Sequence, residues 1–230
     1  MPTTLINAYT TPESTSQPVV HEDLRRLAEQ VMLGGVQRFA SVAERTAVYA
    51  TLGISPSDGM RSYTRDTKTE WVAADGTWRP APGTYVLGLR QTAQQTLTNN
   101  AWVPLDWDTE DRDLLSAWAS SPNPDRFTPP IGGLYLPMGG ASWAGNANGR
   151  RGARWAKNGA AVNASDNVVD AGDGTGQLAL PPRCLAVNLN GTTDFLALEA
   201  FYDGGAAGLQ TASNLAELQC SITIVYLGPA

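Results

Sequence analysis

RFTPPIGGLYLPMGGASWAGNANGRRGARW, residues 126–155, is the stretch that decides the fold. Small and apolar residues alternate over short runs, and each run closes on Gly, Pro or Asn. A period of two between turn residues is the pattern of short strands that bury one face. The C-terminal CSITIVYLGPA, residues 220–230, repeats it. The two stretches predict a mainly β chain with a C-terminal jelly-roll β-sandwich.

Working outward, residues 84–90 and 91–97 read as early strands, and residues 100–107 place Val103, Leu105 and Trp107 on one face. The acidic run Asp106, Asp108, Glu110, Asp111 and Asp113 is expected in or beside the following loop, and residues 159–176 form a long loop rich in Ala, Asn, Asp and Gly. Residues 177–180, 184–189, 194–202, 216–220 and 222–227 then complete about eight strands. Upstream, residues 61–64 and 69–73 flank a polar turn, Asp75-Gly76 is a tight-turn signal, and Tyr63, Trp71 and Trp78 offer a small aromatic core. The closely spaced prolines of residues 79–83 make a linker.

Helical spacing appears only near the N-terminus. Val20, Leu24, Leu27 and Val31 predict a short amphipathic helix stopped by Gly34-Gly35, and residues 39–52 predict a second one ended by Gly53. Residues 1–19, rich in Thr, Ser and Pro, read as an extended arm. The expected organisation is an arm and helix over residues 1–35, a small β-module and linker over 36–83, and a jelly-roll head over 84–230.

With 230 residues the chain can bury roughly 70% of its unfolded surface without staples. Charged residues make up only 17%, against 42% hydrophobic, with 23 Gly and 15 Pro, a balance suited to a β-rich protein that buries surface against its own copies. A net charge of -6 without clustered Lys and Arg argues against a nucleic-acid partner. No N-terminal signal peptide is read, and no run is apolar enough for a spanning helix, so neither export by a leader nor membrane insertion is expected. Cys184 and Cys220 sit in separate strand-like runs, and their spacing leaves both a pair and two free thiols open.

Residues 128–135, then Trp143, Gly149-Arg150-Arg151, Asn158-Gly159, residues 194–198 and residues 222–227 follow one order. That order resembles the tumour-necrosis-factor-like jelly rolls, including the globular head of the first complement component, in the version carried by phage tail and fibre proteins. The resemblance covers about residues 91–229. The order Gly59-Met60, Tyr63, Asp66-Thr67, Trp71, Asp75-Gly76, Trp78 is similar to a small β-module that precedes fibre domains in phage tail proteins. The resemblance implies a homotrimer packed around a three-fold axis, with Tyr135, Trp143, Ile222, Ile224 and Tyr226 as its interface or core. It also implies an anchor helix carrying Leu24, Leu27 and Val31 that docks on other virion proteins.

Little in the chain points to chemistry. The lone histidine, His21, lies in the predicted helix, and no nucleophile elbow accompanies it. The carboxylates Asp106, Asp108, Glu110 and Asp111 are dense enough for a hydrolytic pair, but a polar loop explains them as well. The sets Asp106, Asp108, Asp111 and Asp166, Asp170, Asp173 contain enough oxygen for calcium without following EF-hand spacing. Gly139-Gly140 and residues 172–176 lack the Lys of a phosphate loop. Trp107, Trp118 and Trp143 read as structural, whereas Trp102 and Trp155 suit either a core or a sugar-stacking role. The expectation is therefore a non-enzyme without cofactor or metal. It is a phage tail-fibre, tail-tip or receptor-binding component located in the virion, assembled in the host cytoplasm, with a host surface glycan as a candidate partner. A capsid-decoration or head-fibre protein and a carbohydrate-binding adhesin module are the alternatives.

Overall fold

A computed structural model of the chain describes residues 35–145, 148–170, 177–204, 209, 211 and 216–230. The expected arm, the anchor helix with Leu24, Leu27 and Val31, and His21 lie outside the described residues. The chain divides into two compact units, Met1–Ala81 and Pro82–Ala230.

In the first unit, β1 (Val36–Phe39) runs parallel to β2 (Arg61–Thr64), and β3 (Thr69–Ala74) and β4 (Thr77–Pro80) follow antiparallel in the order β1-β2-β3-β4. Parallel neighbours need a crossover, here supplied by α1 (Val42–Leu52). The helix was expected to begin at residue 39. It begins later because Phe39 pairs with Thr64 and Ser41 caps α1, its Oγ accepting the Glu44 N–H at 3.0 Å. Gly53, at φ 63°, closes the far end, returning its N–H to Ala50 O. Asp75 and Gly76 both have positive φ, 51° and 68°, as a two-residue hairpin turn of the favoured hand requires.

Helix and sheet bury Phe39, Tyr49, Met60 and Ala73, with Trp78 packed against them. Trp71 is buried too, while Tyr63 alternates to the opposite face of β2. Arg45 lies in this core at 3% exposure, its guanidinium carbon 4.8 Å from the Trp71 ring and 4.7 Å from the Trp78 ring. An Nη donates to Ser62 Oγ at 3.0 Å. Burial lowers the guanidinium pKa to about 10, so it stays charged at neutral pH between two electron-rich faces.

The second unit is the jelly roll. One sheet has the order β10 (Ala160–Ala161), β9 (Arg150–Lys157), β14 (Leu196–Tyr202), β6 (Ala101–Pro104), with β11 (Asn167–Asp170) also on β9. The other has the order β12 (Leu178–Leu180), β8 (Gly133–Trp143), β15 (Ser221–Gly228), β5 (Thr84–Arg90), β7 (Thr109–Asp113), with β13 (Val187–Leu189) also on β8. The last strand is thus inserted antiparallel between β5 and β8, so the two ends of the unit close one sheet. All seven residues of β14 are buried. Phe127, Tyr135 and Tyr226 form an edge-to-face chain with centroids 5.4 and 5.3 Å apart in the core.

Several expected boundaries shift, each for a local reason. Residues 91–97 form no ladder strand: among the described residues their main chain makes only scattered backbone bonds, Gln91 N–H to Cys220 O, Leu97 N–H to Leu209 O and Gln95 O from Thr211 N–H, and side-chain amides add to them. Gln91 Nε2 donates to Asp106 O and Gln95 Nε2 to Pro104 O, both at 2.9 Å. The acidic run is no loop: its second half is the edge strand β7, paired to β5. Charges along an edge discourage further strand addition. The expected long loop carries β10 and β11, and residues 216–218 form a 3-10 turn in place of a strand. The strand expected from residue 184 starts only at Val187.

Candidate functional site

The feature of the jelly roll that most invites a partner is the outer face of the sheet containing β8, β15 and β5. Along β15, Ile222, Ile224, Tyr226 and Gly228 are buried while Ser221, Thr223, Val225 and Leu227 are only half-buried, so the second set faces outward. On β8, Tyr135 and Pro137 face the core while Leu134, Leu136 and Met138 face out. Register brings the outer residues together. Leu136, Val225 and Tyr85 form one cross-strand row, and Met138, Thr223, Gly88 and Arg112 form the next.

Gly88 matters to this face because a side chain there would collide with the Tyr85 hydroxyl and ring. Its absence lets Tyr85 lie across the sheet, still 37% exposed, with the Arg112 guanidinium carbon 5.5 Å from its ring centroid. Arg112 Nε also donates to Tyr85 O at 2.9 Å. Burial, followed by the nearby Asp111 charge, raises the Tyr85 pKa above its ordinary value, so its hydroxyl stays protonated at neutral pH. The result is an apolar strip of Leu, Met and Val beside a flat tyrosine.

All five residues expected at the interface or core, Tyr135, Trp143, Ile222, Ile224 and Tyr226, lie inside the protomer at 0–3% exposure. The outward set was not singled out from the sequence. Its signal was present in SITIVYLG, where the second alternating set ends on the apolar pair Val225 and Leu227.

The acidic residues are held by the protein itself. Burial raises Asp108, but the N–H groups of Thr92 and Ala93 and the hydroxyls of Thr92 and Thr109 outweigh it, and its carboxyl titrates below the usual range. Asp111 grips Arg90 with two bonds of 2.7 Å. Asp113 accepts the N–H groups of Leu115, Ala117 and Trp118. Burial, then the charge of Asp125, raises Asp106. Asp166 and Asp170 are exposed, and Asp173 and residues 172–176 lie outside the described residues. No group of three or more His, Cys, Asp or Glu among the described residues is placed to hold a metal ion.

Cys184 is exposed and Cys220 buried, and both are free. Burial pushes the Cys220 thiol up to about 11. Trp155 is a core residue. Trp102 packs against Phe201, 5.1 Å between centroids, and under the Arg154 guanidinium at 4.3 Å. No described helix is long and apolar enough to cross a membrane.

Strand order and burial define the chain as a small β-module joined to a jelly-roll β-sandwich. Among solved structures it is similar to murine APRIL at pH 8.5, with 11% identity over 62% of this chain and 98% of that chain and a TM-score of 0.44. It is similar too to the Eiger TNF from S. frugiperda, with 11% identity over 64% of this chain and 94% of that chain and a TM-score of 0.45. No family model and no curated protein matches the chain.

Proposed function

We propose that this chain is a structural protein of a bacteriophage virion, a tail-fibre or tail-tip component whose jelly-roll head is a homotrimer. The observation that carries the assembly is the outer strip of Leu134, Leu136, Met138, Val225 and Leu227 with Tyr85 at its side. A sheet face of this composition gains from removal of its apolar area from water, at roughly 25 cal/mol per Å2. Copies of the same chain are the natural cover, because cyclic symmetry closes the assembly and leaves no sticky face. The virion role is supported by the linear order of the two phage-like sequence patterns, small aromatic module first and jelly roll second. In this role residues 1–35 dock on neighbouring virion proteins and the head projects outward.

Sedimentation equilibrium of the full chain tests the assembly, with a mass of three protomers expected. A protein that stays monomeric at tens of micromolar would overturn it. Deleting residues 1–35 tests the placement: the shortened chain is expected to remain folded and trimeric but to be missing from assembled particles.

A further inference from the structure

The loop between β7 and β8 lines an open cleft of about 220 Å3 whose walls include Ser116, Trp118, Asn123, Arg126 and Thr128. We infer that this cleft is a binding site for a single neutral sugar ring, a pyranose unit of a larger glycan. It extends the proposed attachment role by giving the head a ligand, and it does not depend on the trimer.

The first support is rigidity. The Asp113 carboxylate accepts three consecutive-turn N–H groups, from Leu115 at 3.2 Å, Ala117 at 3.0 Å and Trp118 at 2.9 Å. Thr128 N–H closes the loop on Ala117 O at 2.8 Å, and Phe127 pairs with Leu196 of β14. The Trp118 indole is itself fixed, its Nε1 donating to Pro124 O at 2.9 Å. A loop already ordered spares a ligand the entropy of ordering it.

The second support is the chemistry of the lining. Trp118 is half-buried and offers an apolar aromatic wall, the kind of surface on which the C–H face of a sugar packs. The side chains of Ser116, Asn123 and Thr128 make no hydrogen bond to another described residue, so two hydroxyls and an amide are available as both donors and acceptors. A hydroxyl-rich ring needs that mixture. The Arg126 guanidinium carbon sits 4.1 Å from the Phe195 ring centroid, and its Nε is buried, within ion-pair distance of Asp125 at 3.5 Å but without a hydrogen bond. Asp125 offsets the arginine charge, which favours a neutral ligand over an acidic one. Size selects the unit, since drug-sized ligands occupy roughly 300–1,000 Å3 and this cleft is smaller.

Saturation-transfer NMR and calorimetric titration of the full chain provide the test, using methyl glycosides of glucose, galactose, mannose and N-acetylglucosamine, with glucuronic acid as the acidic control. At least one neutral glycoside is expected to saturate the protein, and Asn123→Ala is expected to weaken it about tenfold without moving the melting temperature. Trp118→Ala should abolish it. Should Trp118→Ala unfold the loop, the exposed Asn123→Ala decides alone. The site is overturned if no neutral glycoside binds, if glucuronic acid is preferred, or if affinity survives Asn123→Ala. A negative result here leaves the sedimentation test of the trimer untouched.

Discussion

Val225 and Tyr226 are consecutive on β15 and face opposite sides of the same sheet, Tyr226 fully buried and Val225 half-exposed beside Leu136 and Tyr85. One strand therefore contributes to two different kinds of contact. Val225→Arg should leave the fold intact and break the trimer into monomers, read by sedimentation, because the charge would be desolvated only on assembly. Tyr226→Asp should destabilise the head by about 3 kcal/mol or more in thermal melts, since it puts an unpaired charge in the core and removes a ring packed edge-to-face on Tyr135. Equal effects of the two substitutions would mean that the outer strip is no interface.

Gly88→Ala separates shape from stability on that same face. The new methyl meets the far end of the Tyr85 side chain, which can swing away, so the melting temperature should change little while Tyr85 leaves the sheet. The expected outcome is a folded head that dissociates at higher concentration than the parent. Unchanged association would show that Tyr85 takes no part.

Arg45→Lys tests the core of the small module. Lysine keeps the charge but loses the planar group held between Trp71 and Trp78 and the fork that reaches Ser62. A loss of about 1–3 kcal/mol in the module's own unfolding transition is expected. No loss would mean that the aromatic pair packs equally well around any long side chain.

Acid should weaken the head through Asp108. Its folded pKa is below the unfolded value, so the stabilisation is fully present above the ordinary carboxylate range and is lost as pH falls through the folded pKa. In Asp108→Asn the difference between melting temperatures at pH 7 and pH 3 should shrink. A profile identical to that of the parent would remove Asp108 from the account.

The two thiols should react very differently. Exposed Cys184 is expected to react at once with a disulfide reagent at pH 8, while Cys220, buried and raised to about 11, reacts only after denaturation. Two fast thiols in the native protein would contradict the burial of Cys220 against Ser142.

The β class, the Asp75-Gly76 hairpin and the strands β5, β8, β14 and β15 were legible because alternation and turn chemistry are local properties, written within about ten residues. Sequence also placed Trp71 and Trp78 in one module core and ended α1 at Gly53. Ile222, Ile224 and Tyr226 were legible as the buried set of β15, and tertiary structure alone decided that they pack inside the protomer. Burial inside a sandwich and burial against a neighbouring copy ask for the same apolar residues at the same period, so only the partner sheet decides between them. Tertiary structure likewise decided that residues 91–97 bond through scattered backbone contacts and Gln side chains and that the acidic run becomes an edge strand. The loop that lines the Trp118 cleft, too, is anchored by Arg126 on Phe195 and by Phe127 on Leu196, some seventy residues downstream in the sequence. Those outcomes rest on long-range pairing, and no local pattern encodes which distant strand will arrive.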